Sequence, residues 1–410
     1  MVESEEIFVY IALGEKDHLV GRLWCHSRNG RESASFEYDE TWLKNPEKFA
    51  LEPALSLDEG SFHTQLDQAL FGVLGDSAPD RWGRVLMRRA ETQRARAIEE
   101  RPRTLREIDY LLGVSDQTRQ GALRFARNLG GPFLRVDDGR SIPPLLDLPR
   151  LLSASELFLE DNESAEDLRL LLAPGSSLGG ARPKASVRDK DGSLAIAKFP
   201  RKDDEYNVVL WEAVALTLAK KAGINVSEWR LEQILDKPVL ILKRFDRQQE
   251  QRVAFLSAMS MLGAKDNQQR SYIEICYALA QYGAKPNLDM HELWRRMVFN
   301  ILISNTDDHL RNHGFVYERH QGWRLSPAYD LNPTPIQIKP RVLSTAINFE
   351  DCTGSLETAF SVIDEFRLSK KEAESILSDL TEAISSWRKI AKSFGLKKSE
   401  LDWMASAFEY

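Results

Sequence analysis

The sequence predicts an α+β chain built as two lobes with a cleft between them, a β-rich N-terminal lobe and an all-helical C-terminal lobe. Three observations predict it. The first half reads largely as short strands, and the second half carries long helical stripes. Between them an apolar strand run at 238–242 empties into Lys243-Arg244-Phe245-Asp246-Arg247, as a hinge would. Glycine and proline breakers support a division into regions 1–130, 131–243 and 244–410.

In chain order, residues 10–30 pattern as strands with turns and 65–92 as largely helical. Arginines crowd 81–106 and 119–127. Arg94, Arg96, Arg101, Arg103 and Arg106 could meet phosphates or an acidic partner, but such runs are more often a solvated helical face. Gly130-Gly131-Pro132 and residues 141–149 mark a boundary or surface loop. Residues 174–180 then hold three glycines and two serines. Glycine backbone lets N–H groups approach a phosphate closely, although such a loop alone is more often a plain connection. Residues 185–188 and 194–199 read as strands joined through Asp189-Lys190-Asp191-Gly192, a hairpin signal. Lys198 lies on the second strand, 18 residues beyond Gly180. No G-x-x-x-x-G-K-[ST] motif occurs, so this is not a P-loop. Residues 205–222 fit a helix with Val209, Leu210, Ala213, Leu216 and Leu218 roughly on one stripe, Gly223 as its stop, and Glu212 placed to pair with Lys198.

Helical patterning resumes at 272–282 and 290–304, and runs on at 356–366 and 370–394. Between these pairs stands Asn305-Thr306-Asp307-Asp308-His309-Leu310-Arg311-Asn312, where Asp307 and Asn312 are five apart. Phosphoryl transfer from ATP needs a carboxylate to orient the attacking hydroxyl and an amide oxygen to help hold Mg²⁺. The kinase catalytic loop H-R-D-x-x-x-x-N supplies both at this separation. Residues 314–317 and 323–325 can form a hairpin that returns Asp330, 18 residues past Asn312, as a second hard-oxygen ligand. In isolation Tyr329-Asp330-Leu331-Asn332-Pro333 is more simply a turn. His309 and His313 share the H-x-x-x-H spacing, without the glutamate and helix that a zinc site of that kind uses. No G-x-S-x-G elbow is present.

Composition narrows the classes. The 410 residues, 42% apolar, suffice for two or three packed units. Three well-separated cysteines, Cys25, Cys276 and Cys352, argue against a disulfide scaffold. A net charge of −7 disfavours DNA binding by the surface at large. No apolar run is long enough to span a membrane, and the acidic start is unlike a secretory signal, so a cytoplasmic location is expected.

In their order these segments resemble the HipA-like serine/threonine kinases, whose founding member is the toxin of a toxin–antitoxin pair. The resemblance spans nearly the whole chain. It rests on S-L-G-G-A-R-P-K at 177–184, I-A-K-F-P at 196–200, K-R-F-D-R at 243–247, N-T-D-D-H-L-R-N at 305–312 and A-Y-D-L at 328–331. In the first part F-E-Y-D-E-T-W-L at 36–43, L-F-G-V-L-G-D-S-A-P-D-R-W-G-R at 70–84 and D-Y-L-L-G-V-S-D at 109–116 match as well.

The resemblance implies a bilobal, PI3/4-kinase-like fold and an ATP- and Mg²⁺-dependent protein kinase. It implies Asp307 as proton acceptor, His309 near the phosphates, Asn312 and Asp330 as Mg²⁺ ligands and Lys198 as the ATP-phosphate lysine. Gly179, Gly180, Ala181, Arg182 and Lys184 would border the nucleotide from the glycine-rich loop. Lys243 and Phe245 would meet adenine through backbone groups, and Tyr329 belongs to the same set. Ser177 holds the family's autophosphorylation position, with Ser176 as a competing site; phosphate there adds nearly two negative charges and could exclude ATP. The founding-type toxin carries Gln-Glu where this chain has Arg182-Pro183, which adds a charge suited to phosphate and removes one N–H donor. The implied partners are a helix-turn-helix antitoxin, through which DNA would be met only indirectly, and a translation-related protein substrate such as an aminoacyl-tRNA synthetase. The alternatives are a small-molecule kinase and a nucleotide-binding regulator acting through a repressor.

Overall fold

A computed structural model of the chain describes residues 3–136, 142–172, 180 and 182–409. The chain forms two compact units, one of residues 1–202 and 232–256, the other of residues 203–231 and 257–410. The architecture is α+β.

The first unit opens with a five-stranded antiparallel sheet in the order Ser61–His63, Arg31–Tyr38, Lys16–Arg28, Glu3–Leu13, Leu123–Ala126. Its register is set by a two-residue turn. Arg28 pairs with Arg31, and Asn29 and Gly30 both take positive φ, 53° and 74°, the geometry that matches strand twist. Ile7, Val9, Leu23 and Phe36 are buried within it. Gly21 is required by close approach: an alanine Cβ there would lie 2.1 Å from the Glu37 carbonyl oxygen and 2.7 Å from the Phe36 ring. Gly21→Ala is therefore expected to cost about 1–3 kcal/mol. A lowered urea midpoint would register it; an unchanged midpoint would mean the two strands separate without penalty.

The expected helix over 65–92 is two helices, Gly72–Asp76 and Arg81–Ala97. Pro79 interrupts the pattern, and Asp80 caps the second by accepting from Gly83 N–H at 2.8 Å. Most of the arginine run meets the protein's own acids, Arg94 and Arg103 at Glu91 and Arg106 at Asp109. A second sheet runs in the order Lys184–Arg188, Leu194–Lys198, Lys237–Lys243, Trp229–Ile234. Its Ala185, Val187, Ala195, Ala197, Val239 and Ile241 pack with Leu151, Leu152 and Phe158 of helix Leu148–Leu159 and with Trp82 and Leu86.

The second unit is mostly helical. Helix Val208–Lys221 starts where Asn207 caps Leu210 N–H at 3.0 Å, and ends at Gly223, whose φ of 76° lets Ile224 N–H reach back to the Ala219 carbonyl. Helices Tyr272–Tyr282 and Pro286–Leu302 come next. The expected stretch 370–394 divides into Lys370–Ser385 and Trp387–Ser393. The break turns Trp387 inward, stacked on Phe408 of helix Lys398–Phe408 at 4.7 Å and 6.0 Å from Trp211. An all-helical C-terminal lobe is not what forms. The hairpin Gly314–Glu318 and Gly322–Leu325 interrupts it, because Phe315, Trp323 and Leu325 alternate inward at strand spacing. No helix among the described residues is long and apolar enough to cross a membrane.

Candidate active site

Helix Pro286–Leu302 carries the chain to the Asp-x₄-Asn segment. Leu293, Trp294, Met297, Val298 and Ile301 form its buried stripe, and the helix stops before Ser304, which takes a left-handed φ of 53°. Asn300, in the last turn, holds Asn305 at the start of that segment. Its backbone carbonyl accepts from Asn305 N–H at 2.9 Å, and its Oδ1 accepts from Asn305 Nδ2 at 3.0 Å.

The two neighbouring aspartates of this segment have opposite environments. Asp308 is buried and accepts from the Tyr272 hydroxyl, while His313 Nε2 lies 3.1 Å from the same oxygen. Burial, and then the charge of Asp308, pushes the Tyr272 phenol well above its ordinary value, so it stays protonated as a donor. Asn300 Nδ2 donates to that hydroxyl at 3.1 Å. Asp307 is exposed. Its backbone carbonyl accepts from His309 N–H at 2.9 Å and from Asn312 Nδ2 at 3.0 Å, and its carboxylate makes no hydrogen bond among the described residues. One carboxylate is thus spent on structure and the other is left for an incoming group.

Tyr272→Phe should lower stability by about 1–3 kcal/mol, since a buried carboxylate would lose a donor. A melting temperature equal to that of the parent protein would show that His313 alone satisfies Asp308.

The amide nitrogen of Asn312 is committed to Asp307, so its Oδ1 remains to face a ligand. His309 Nδ1 is buried with no hydrogen-bond partner among the described residues. Asp330 arrives along the hairpin. Ser326 N–H donates to the Gly314 carbonyl at 2.8 Å, Arg296 donates to the Ser326 carbonyl at 2.9 Å, and Ala328 N–H donates to the Asn225 carbonyl at 2.8 Å. The Tyr329 hydroxyl donates to the Arg311 carbonyl at 2.8 Å, tying this arm to the Asp-x₄-Asn segment. Asp330 itself has φ 58°, a conformation that aspartate tolerates better than most residues. An amide oxygen and a carboxylate are hard donors, and they fit Mg²⁺ better than a softer metal.

In the first unit, Lys198 is the cross-strand partner of Lys184. Two like charges placed opposite each other repel. Lys184 is relieved by Asp80: its ammonium donates to Asp80 Oδ2 at 3.0 Å, both side chains being buried. The Trp82 indole N–H donates to the Lys184 carbonyl at 3.1 Å, so the A-P-D-R-W segment anchors the strand that opens the hairpin. Gly180 has φ 88°, and its carbonyl accepts from Trp82 N–H at 3.4 Å; Arg182 is partly buried. Gly179, Ala181, Ser177 and Ser176 lie outside the described residues.

The segment 243–247, expected as a hinge, lies within the first unit. Lys243 is exposed and Phe245 partly buried, whereas Arg244 and Asp246, alternating with them, are buried. Arg244 forks onto Asp246 and donates to the Thr118 carbonyl at 2.6 Å. Arg247 donates to Asp246 at 2.9 Å and to the Arg119 carbonyl at 2.7 Å, and Gly121 N–H donates to Asp246 at 2.8 Å. Beside them Asp116 receives Arg124 and Arg252, both at 2.7 Å. These ion pairs bind the strand after Leu242 to the loop 116–121. Alternation in K-R-F-D-R was the one sequence signal that could have revealed them.

The sequence matches the family described as HipA-like C-terminal domain over residues 176–388, and the HipA N-terminal domain over 13–123. It is 27% identical over 182 residues to a Haemophilus influenzae protein named "Putative kinase", covering 38% of this chain and 52% of that one. It is 26% identical over 184 residues to "Putative kinase Y4mE" of Sinorhizobium fredii, covering 38% and 42%. The chain spans about half the length of these curated relatives. Among solved structures it is similar in fold to the Shewanella oneidensis MR-1 toxin–antitoxin HipA, determined with HipB and operator DNA. The TM-score is 0.65 at 16% identity, over 98% of this chain and 95% of that one.

Proposed function

This chain belongs to the HipA-like family, and from that premise we propose that it is an ATP-dependent serine/threonine protein kinase of bilobal, PI3/4-kinase-like arrangement, acting as a toxin-type enzyme. The observation that carries the reading is the split between Asp307 and Asp308. The exposed Asp307 carboxylate, on a backbone pinned by His309 and Asn312, orients the hydroxyl of an acceptor and takes its proton. Asn312 Oδ1 and Asp330 would hold Mg²⁺, which when bound supplies positive charge to the phosphoryl oxygens. Lys198 would hold the ATP phosphates, and His309 would stand near them. Gly179, Gly180, Ala181, Arg182 and Lys184 would border the nucleotide, with Lys243, Phe245 and Tyr329 completing its site. The working division is 1–130 as an accessory subdomain, 131–243 as nucleotide-binding region and 244–410 as catalytic region. A helix-turn-helix antitoxin is the proposed partner, as the Shewanella protein is found with HipB and DNA, and the substrate would be a translation-related protein.

The test is phosphopeptide mass spectrometry after incubating the purified protein with ATP and Mg²⁺. Phosphate on Ser177, or on Ser176, is expected, and its accumulation should slow further turnover. Phosphate on neither, with no transfer to any added protein, would overturn the kinase reading.

A further inference from the structure

The turn that opens the Asp-x₄-Asn segment is strained. Ser304 holds φ 53°, a region that residues with a Cβ avoid, and such a conformation persists only where its surroundings over-determine it. Those surroundings are the segment 334–345 and the helix Lys398–Phe408. Thr334 N–H donates to the Ser304 carbonyl at 3.2 Å. The Thr306 carbonyl accepts from Lys339 at 3.1 Å and from the Ser344 hydroxyl at 2.9 Å, and the Asp308 carbonyl accepts from the Thr345 hydroxyl at 2.7 Å. The peptide groups on either side of Asp307 are therefore held by side chains from a distant stretch of the chain.

Arg341 joins the two supports. Its Nε donates to Ser304 Oγ at 2.8 Å, and Ser304 Oγ in turn donates to the Ala407 carbonyl at 2.9 Å. Its Nη2 donates to the Ser406 carbonyl at 2.9 Å and to the Glu409 carbonyl at 3.0 Å. The Ser406 and Ala407 carbonyls lie in the last turn of helix Lys398–Phe408, where no intrahelical donor remains and the helix dipole favours a cation. The backbone of Arg341 is itself pinned, since Gly354 N–H donates to its carbonyl at 2.8 Å. A planar guanidinium serves a hydroxyl and two carbonyls at once through donors in fixed directions. We infer that Arg341 is a positioning residue for phosphoryl transfer: it locks the left-handed turn at Ser304 against the end of helix Lys398–Phe408, and that turn sets the direction from which Asp307 is presented. The inference rests on the kinase reading above and deepens it, by extending the machinery to a side chain that acts through the backbone and not on the reacting atoms. Loss of the guanidinium should misplace Asp307 rather than remove it, and a misplacement of about 1 Å is enough to cost about 10²-fold in rate.

The experiment compares the full chain with Arg341→Ala, Ser304→Ala and the double variant. Phosphate transfer from ATP, with Mg²⁺, to the protein itself and to a mixture of added proteins is followed as an initial rate across ATP concentrations, below each protein's melting temperature. Expected in both single variants is a maximal rate lowered by about 10- to 100-fold, with the half-saturating ATP concentration unchanged. Because Arg341 works through Ser304, the double variant should be no slower than the slower of the two single variants. A merely structural role would lower the melting temperature and leave the maximal rate of the folded protein as it was. Ser304→Ala keeps the bonds from Arg341 to the helix end, so it tests the turn even where Arg341→Ala fails to fold. A parental maximal rate in either folded variant, or losses that multiply in the double variant, would overturn the inference and leave the kinase standing. A rise in half-saturating ATP as large as the fall in rate would do the same, by moving the effect to nucleotide binding. A parent chain that transfers phosphate neither to itself nor to any added protein would remove the kinase reading, and the inference with it.

Discussion

Asp307→Ala is expected to lower kcat for phosphoryl transfer by about 10²–10⁴-fold while leaving most nucleotide affinity in place. The carboxylate acts on the acceptor hydroxyl, so its loss falls on the chemical step rather than on ATP binding. The fold should survive, because the side chain is exposed and the contacts of residue 307 are made by its backbone carbonyl. Radiolabel transfer beside calorimetric titration with nucleotide separates the two effects. Undiminished transfer would remove Asp307 from the mechanism. Equal loss of nucleotide binding would instead mean that the side chain contributes to holding ATP. The neighbouring Asp308→Ala makes the contrast: it should unfold or loosen the segment, since Tyr272 and His313 would lose their shared acceptor.

Asp246→Ala is expected to cost about 3–5 kcal/mol, because breaking a buried ion pair leaves its partners uncompensated. Arg244 and Arg247 would both be left buried without their carboxylate, in a cluster that already holds Arg119 and Arg252. Burial alone would push the Asp246 carboxyl up; Arg244 and Arg247, with their charge-assisted bonds, outweigh it and hold it well below its ordinary value of 3.8. A carboxyl whose folded value is depressed adds stability above its unfolded value and loses it as pH falls through the folded one. The Asp246 contribution should therefore be complete above about pH 5 and decline progressively below about pH 4. Thermal melting of the parent and of Asp246→Asn at pH 7 and pH 3 measures this. The gap between the two proteins should narrow at the lower pH; a gap of constant width would assign the role of Asp246 to packing alone.

Much of the element order could be read from side-chain spacing. Residues 272–282 have the predicted helical bounds, the expected hairpin around residues 189–192 forms, and Gly223 stops its helix by a positive φ. Misreadings came where one residue overrode a continuous stripe, as Pro79 does within 65–92, or where a distant aromatic contact did, as at Trp387. The family was legible because its short motifs recur in order, and the matches over 13–123 and 176–388 agree with that.

The site divides along the same line. By itself the sequence determined which chemical groups exist and how far apart they lie along the chain: Asp307 and Asn312 five apart, Asp330 beyond a hairpin, and Lys198 on a strand. Those arise from local rules of helix, strand and turn. Only the tertiary structure decided which of two adjacent aspartates is buried, because that depends on Tyr272, 36 residues away, and on the packing of His313. It likewise decided that Arg244 and Asp246 turn toward loop 116–121, a contact spanning more than a hundred residues. Local spacing reports the direction of a side chain along its own element; the environment it enters is set by whatever distant segment packs there.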